Sequence, residues 1–274
     1  MADGSALPAA ASRSAARIAW RGAVAVAGER PLAEEAPVSF AYQGAAYAVM
    51  MATPADLEDF AVGFTLTEGL VARRAEIEAI DILPQPEGVV LRIDLSAPRA
   101  ERFWRRRRHL AGPSGCGLCG IENLAESLRA VPRVESELTL SCGAVGRALE
   151  SLSRRQTLHQ VTRSVHAAAF WRERDGLVAL REDVGRHNAL DKLAGALARS
   201  GAAAGEGALL LTSRLSVEMV QKAAMIGAPV VIAMSAPTML AVRVAETAGI
   251  TLAAVARADG FEIFTHPRRF RLEG

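Results

Sequence analysis

GALLLTSRLSVEMVQKAAMIGAPVVIAMSAPTMLAVRVAETAGITLAAVAR, residues 207 to 257, switches repeatedly between two periods. GALLLT, PVVIAM and TLAAVAR are short apolar runs that read as buried strands. SVEMVQKAAMIG and TMLAVRVAETAG carry apolar residues three and four apart and stop at Gly227 and Gly249, so they read as helices. Upstream, GLVALRE is a further strand and NALDKLAGALARS a further helix. Strand and helix in alternation predict a layered α/β domain with a mainly parallel sheet, whose ligands gather where strands turn into helices. Asp259-Gly260, between VAR and FEIFTH, predicts a closing hairpin that adds an antiparallel edge.

Three such turns carry polar residues. In REDVGRHNALDKL, residues 181 to 193, Arg186, His187 and Asn188 stand at the junction, although Asn188 reads equally well as a helix cap. In TSRLSVEMVQK, Thr212, Ser213 and Arg214 occupy the turn and Ser216 is placed to cap. MSAPTM brings Ser235 and Pro237 to the third. Together they predict one pocket able to receive phosphate at helix N-termini. His166, in VTRSVHAAAF, reads first as a packing histidine.

The first part of the chain has a different texture. AVAVA, VSFAY and AAYAVMM read as short strands, TPADLEDFAVGFTLTEGL as a helix with Thr53 as cap and Pro54 in its first turn, and GVVLRIDL as a strand with Val89, Leu91, Ile93 and Leu95 on one face. IENLAESLRAV and VGRALESLSRR predict two helices flanking a segment around Leu138 to Cys142. The organisation expected is a disordered lead-in over 1–15, a smaller β-containing domain over 16–110, and the α/β domain over 111–274. The 274 residues are 50% apolar and 23% charged, enough for a substantial core, and a net charge of +2 argues against nucleic acid or an anionic membrane as main partner. Three cysteines do not make a disulfide framework, and MADGSALPAAASRSAARIAW lacks a signal peptide's apolar run, so a cytoplasmic location is expected.

GPSGCGLCG, residues 112 to 120, sets Cys116 and Cys119 among four glycines. Three chemistries compete for a single CxxC: structural zinc completed by Cys142 with His109 or His159, a redox dithiol, and sulfur carriage as a persulfide. Upstream, FWRRRRHL reads as a solvated basic face or as a site for phosphate or an acidic partner.

TPADLEDFAVGFTLTEGL, GCGLCG, VHAAAF, REDVGRHNALDKL, TSRLSVEMVQKAA, SAPTMLAVRVAE and VARADGFEIFTH, in that order, resemble the FdhD/NarQ family over about residues 20 to 270. The resemblance implies a sulfurtransferase: a cysteine desulfurase loads the loop cysteine, and the sulfur passes to the molybdenum of bis(molybdopterin guanine dinucleotide), the cofactor of formate dehydrogenase. Cys116 matches the persulfide cysteine and Cys119 its partner. Phe261, Glu262, Ile263, Phe264, Thr265 and His266 resemble the cofactor-binding stretch. The implied fold is cytidine-deaminase-like in the larger domain, and the implied assembly a homodimer. Arg163 and Ser164 stand where the family commonly has a glycine pair. A zinc deaminase is disfavoured, since HAAAF lacks the glutamate of HxE and GCGLC the proline of PCxxC.

Overall fold

A computed structural model describes residues 10–110 and 130–272, with backbone alone at 106–110. The chain opens with a hairpin, β1 (Ser12–Arg21) and β2 (Val24–Ala33), so Ser12 to Ala15 of the expected lead-in are already strand. Their polar, Ala-rich sequence hides this because pairing with β2, not burial, holds them extended.

A four-stranded sheet follows in the order β4-β3-β6-β5, built from β3 (Ala36–Tyr42), β4 (Ala45–Ala52), β5 (Ile77–Gln85) and β6 (Gly88–Leu95). Val89, Leu91, Ile93 and Leu95 of β6 are all buried, as their alternation requires. They join Phe40, Tyr42, Phe60, Phe64 and Phe103 in one core, with α1 (Leu57–Thr67) and α2 (Ala97–Leu110) against the sheet. Thr53 does not cap α1. That helix starts after Asp56, which sits in the left-handed region at φ 53°. Thr53 instead spends its polar atoms on the second half of the chain: its N–H donates to Asp183 Oδ2 (3.0 Å), its carbonyl accepts from Lys192 Nζ (2.8 Å), and its hydroxyl accepts from the Val184 N–H (3.2 Å).

The second half is a six-stranded sheet of order β13-β12-β11-β10-β8-β9. Its strands are β8 (His166–Arg172), β9 (Gly176–Asp183), β10 (Ala208–Leu211), β11 (Val230–Ala233), β12 (Thr251–Arg257) and β13 (Gly260–Ile263). The expected mainly parallel sheet proves mixed: β10/β11 and β11/β12 pair in parallel, while β8 and β13 run against their neighbours. The reason is β8, whose HAAAF carries no strand-forming signature beyond its apolar character, and which inserts antiparallel between β9 and β10.

Helices cover both faces. Ala168, Phe170, Leu209, Leu211 and Val231 meet α5 (Arg186–Ser200), α6 (Val217–Met225) and α7 (Met239–Ala248) on one side. Ala167, Ala169, Trp171, Leu210 and Ile232 meet α3 (Cys142–Arg155) on the other, and the short α4 (Thr157–Thr162) follows α3. Double coverage is why these strands read as unbroken apolar runs. A two-residue parallel pair, β7 (Leu140–Ser141) with β14 (Phe270–Arg271), ties the end of the chain to the start of α3. Of the helix expected over IENLAESLRAV, residues 121–129 lie outside the described residues, and 130–131 are not helical.

The two halves meet where α1 crosses α5. Asp59, buried on α1, accepts from Arg181 Nη2 (2.6 Å) and Arg199 Nη1 (2.6 Å). Thr67 donates its hydroxyl to Asp191 Oδ1 (2.6 Å).

Candidate functional site

Because β9, β10, β11 and β12 point the same way, the turns after β9, β10 and β11 lie along one edge of the sheet, and α5, α6 and α7 begin there. Two of these turns are joined directly: Leu215 bridges Pro237, and the Thr238 N–H donates to the Leu215 carbonyl (2.9 Å). Thr238 caps α7, its hydroxyl accepting from the Ala241 N–H (3.2 Å). β8 runs the other way, so its first residue, His166, arrives at this edge opposite Asp183. The positive ends of three helices and the arginines beside them make this edge an anion-attracting mouth.

Two imidazoles border it. Burial, reinforced by Arg186 and Lys222, pushes His187 down to about 4. Burial, then Arg186 and His159, lowers His166 as well. His187 is therefore neutral at pH 7, with one nitrogen donating and one accepting. Among the described residues, the buried atoms Arg186 Nε and His187 Nε2 have no hydrogen-bond partner. Unpaired buried polar atoms cost free energy unless a ligand or water satisfies them, and these lie at the mouth.

The sequence-predicted residues divide between two edges. Arg186, His187, Thr212, Ser213, Arg214 and Ser235 collect at the mouth. Within that group, the Thr212 hydroxyl accepts from the Ala167 N–H (2.9 Å), the buried Ser213 hydroxyl donates to the Arg214 carbonyl (3.1 Å), and the Ser235 carbonyl accepts from the Val255 N–H (3.4 Å). Arg214 is exposed. Asn188 is buried and its amide is committed, donating to the Met51 carbonyl (2.8 Å) and Asp183 Oδ1 (3.0 Å). Gly185, not Asn188, is the N-cap of α5, and Ser216 makes no capping bond to α6.

The FEIFTH stretch runs away from the mouth. Phe261 packs on Phe270 with ring centroids 5.0 Å apart, Ile263 pairs with Ala253 and Glu262 with Ala254. The Phe264 N–H donates to the Leu252 carbonyl (2.9 Å). Thr265 is buried, donating to the Ile250 carbonyl (2.7 Å) and accepting from the Leu252 N–H (2.8 Å). His266 Nε2 meets the Glu246 carbonyl (2.9 Å) and borders a separate cavity of about 230 Å³ with Arg133, Glu135 and Arg268. Thr265 and His266 thus sit by the first residues of β12, and the mouth by its last, a strand length or about 20 Å apart.

Several residues of the mouth were not singled out by sequence. Arg257, at the end of β12, donates to the Met234 and Ala256 carbonyls beside Ser235. Lys192 Nζ lies 2.6 Å from Asp183 with both side chains fully buried, and Lys222 Nζ lies 2.9 Å from Asp191. Burial pulls Lys222 down, but Asp191 and Glu68 more than offset it and hold the ammonium charged. The first pair ties α5 to the end of β9, and the second ties α6 to α5. Helical periodicity sets Asp191, Lys192 and Lys222 off the apolar stripes of their helices, so no local signal marks them as buried; the crossing of α1 covers that side. Cys116 and Cys119 lie outside the described residues. Cys142 is half-buried, its thiol donating to the Arg271 carbonyl (3.2 Å). Among the described residues no cluster of three or more His, Cys, Asp or Glu could hold a metal, and no helix is long and apolar enough to cross a membrane.

Comparison with known proteins gives the same match from three directions. The chain is 51% identical over 261 residues to the sulfur carrier protein FdhD of Agrobacterium fabrum, covering 95% of this chain and 96% of that one. It is 49% identical over 255 residues to the protein of that name in Cupriavidus necator, covering 93% and 88%. A solved structure of a proposed formate dehydrogenase accessory protein from Desulfotalea psychrophila superposes with a TM-score of 0.75 at 26% identity, covering 95% of this chain and all of that one. The FdhD/NarQ family model matches residues 33–271, and the chain belongs to that family.

Proposed function

We propose that this protein is a sulfurtransferase that carries sulfur from a cysteine desulfurase to the molybdenum of bis(molybdopterin guanine dinucleotide), for formate dehydrogenase. What carries the reading is the mouth: three helix N-termini with Arg186, Arg214 and Arg257, and with unpaired polar atoms on half-buried Arg186 and His187, in a chain half identical to sulfur carriers. A cofactor bearing two guanine dinucleotides brings several phosphates, which such a mouth would neutralise.

The sulfur chemistry falls to Cys116 and Cys119. The Cys116 thiolate attacks the outer sulfur of the desulfurase persulfide, the donor cysteine leaves as thiolate, and the sulfur atom now forms a persulfide on Cys116. Release as sulfide needs two electrons. Cys119 supplies them by attacking the inner sulfur: the persulfide bond breaks, hydrosulfide leaves for the metal, and a Cys116–Cys119 disulfide remains to be reduced by a cellular thiol. Such a cycle suits the cytoplasm, where thiols are kept reduced. The reading extends to a homodimer. The layered six-stranded domain supports a cytidine-deaminase-like reading of the fold.

Incubation with a cysteine desulfurase and cysteine should add one sulfur atom to the intact mass, removable by reductant and absent in Cys116→Ala. An unchanged mass in the wild-type protein overturns the proposal. If Cys116→Ser still matures formate dehydrogenase in cells, the protein is a cofactor-delivering chaperone instead.

A further inference from the structure

The β1/β2 hairpin stands apart from both large sheets. Among the described residues its strands pair only with each other, and none of their residues is buried. Gly22 and Ala23 turn it at φ 53° and 64°, the two left-handed residues that a tight two-residue hairpin turn requires. Its ties to the body are few: Arg30 Nη2 donates to the Thr162 carbonyl (3.5 Å), and Arg13 pairs with Glu34 (2.9 Å) at the base. An isolated two-stranded ribbon is marginal in water, yet this one leaves Ile18 75% and Trp20 71% exposed.

The register separates its side chains by charge. Pairs Ser14/Pro31, Ala16/Glu29, Ile18/Ala27 and Trp20/Ala25 share one face; Arg13/Leu32, Ala15/Arg30, Arg17/Gly28, Ala19/Val26 and Arg21/Val24 share the other. All the arginines of the arm thus stand on the second face, and Glu29 is the sole charge on the first. Ala15 and Ala19 are half-buried and Arg30 reaches Thr162, so the arginine face touches the body at these points, while Val24, Val26 and Leu32 stay exposed on it among the arginines. The face with Ala16, Ile18, Trp20, Ala25 and Ala27 is open along its length.

We infer that this open face packs against the same face of a second copy of the chain. A two-fold contact sets each surface against itself. The arginine face would then oppose guanidinium to guanidinium, whereas the Ile18/Trp20 face opposes apolar to apolar. An axis passing between Ile18 and Trp20 keeps the two Glu29 carboxylates on opposite sides of it. A strongly acidic partner would choose the arginines instead. This inference rests on the homodimer reading above and gives that dimer its surface.

Light scattering on the full-length protein tests both. The wild type should show twice the 29.0 kDa chain mass, the double variant Ile18→Lys/Trp20→Lys the single mass, and Arg17→Glu/Arg21→Glu the doubled mass still. A chain lacking residues 12–33 should also run at single mass, which guards against misfolding of the lysine variant. A wild type at single mass overturns the homodimer itself. A wild type at double mass that persists in the lysine variant and the deletion overturns only the arm as its interface.

Discussion

Gly63 lies against the backbone carbonyl of Asp191 so closely that a Cβ there would stand 1.6 Å from the oxygen, and a Cβ on Gly195 would stand 1.8 Å from the Asp59 carbonyl oxygen. α1 and α5 therefore cross backbone to backbone, at a distance only hydrogen side chains permit. Gly63→Ala or Gly195→Ala must push the helices apart and disturb the Asp59 and Asp191 contacts around them. The expected loss of stability is about 3 kcal/mol or more, the upper end for overpacking. Urea unfolding measures it, and a loss of under about 1 kcal/mol would show a looser crossing.

Lys222→Met removes one half of a buried pair and strands Asp191, which is fully buried. The cost expected is about 3–5 kcal/mol, much of it recovered when Asp191→Leu is added, since two apolar groups leave no charge unpaired. Equal stability of the single and double variants would contradict the pairing.

His187 gives the protein an acid sensitivity with a definite sign. Unfolded, the imidazole titrates near 6.5; folded, near 4. Between these values the unfolded chain binds a proton that the native one refuses, so stability falls as pH drops from 6.5 towards 4. His187→Gln should shrink the gap between urea midpoints at pH 7 and pH 5. A gap as large as the wild type's would mean that the native imidazole is not shielded.

Arg186 and His266 answer differently if the mouth is where the cofactor's phosphates bind. Arg186→Gln should weaken binding of a guanine nucleotide about tenfold, the worth of one charged hydrogen bond. His266→Gln, at the opposite edge, should leave it within about twofold of wild type on the same scale. Calorimetry separates the two, and the reverse order would move the nucleotide to the other edge.

Much of this was visible in the residues. The strand and helix alternation from β9 to β12, the alternating β6 and the Asp259-Gly260 hairpin follow from local periodicity, because each element buries its own face. Direction is less local: nothing within HAAAF says that β8 runs against β10. Thr53 looked like a cap because cap and long-range ligand use the same hydroxyl, and its actual partner, Val184, is 131 residues away. Asn188 misled in the same way. The turns bearing Arg186 and Arg214 were legible as polar residues between strand and helix, while the divergence of Thr265 and His266 from them depends on the direction of β13, which sequence similarity alone does not convey.

Thr53 also bears on modularity. Its backbone and hydroxyl groups are completed by Asp183, Lys192 and Val184, so each half leaves the other's polar interior unfinished. Neither half is a transplantable cassette: excising the larger one would hand Lys192 and Asn188 to solvent without their carbonyl acceptors, and any chimera must carry the α1/α5 seam whole.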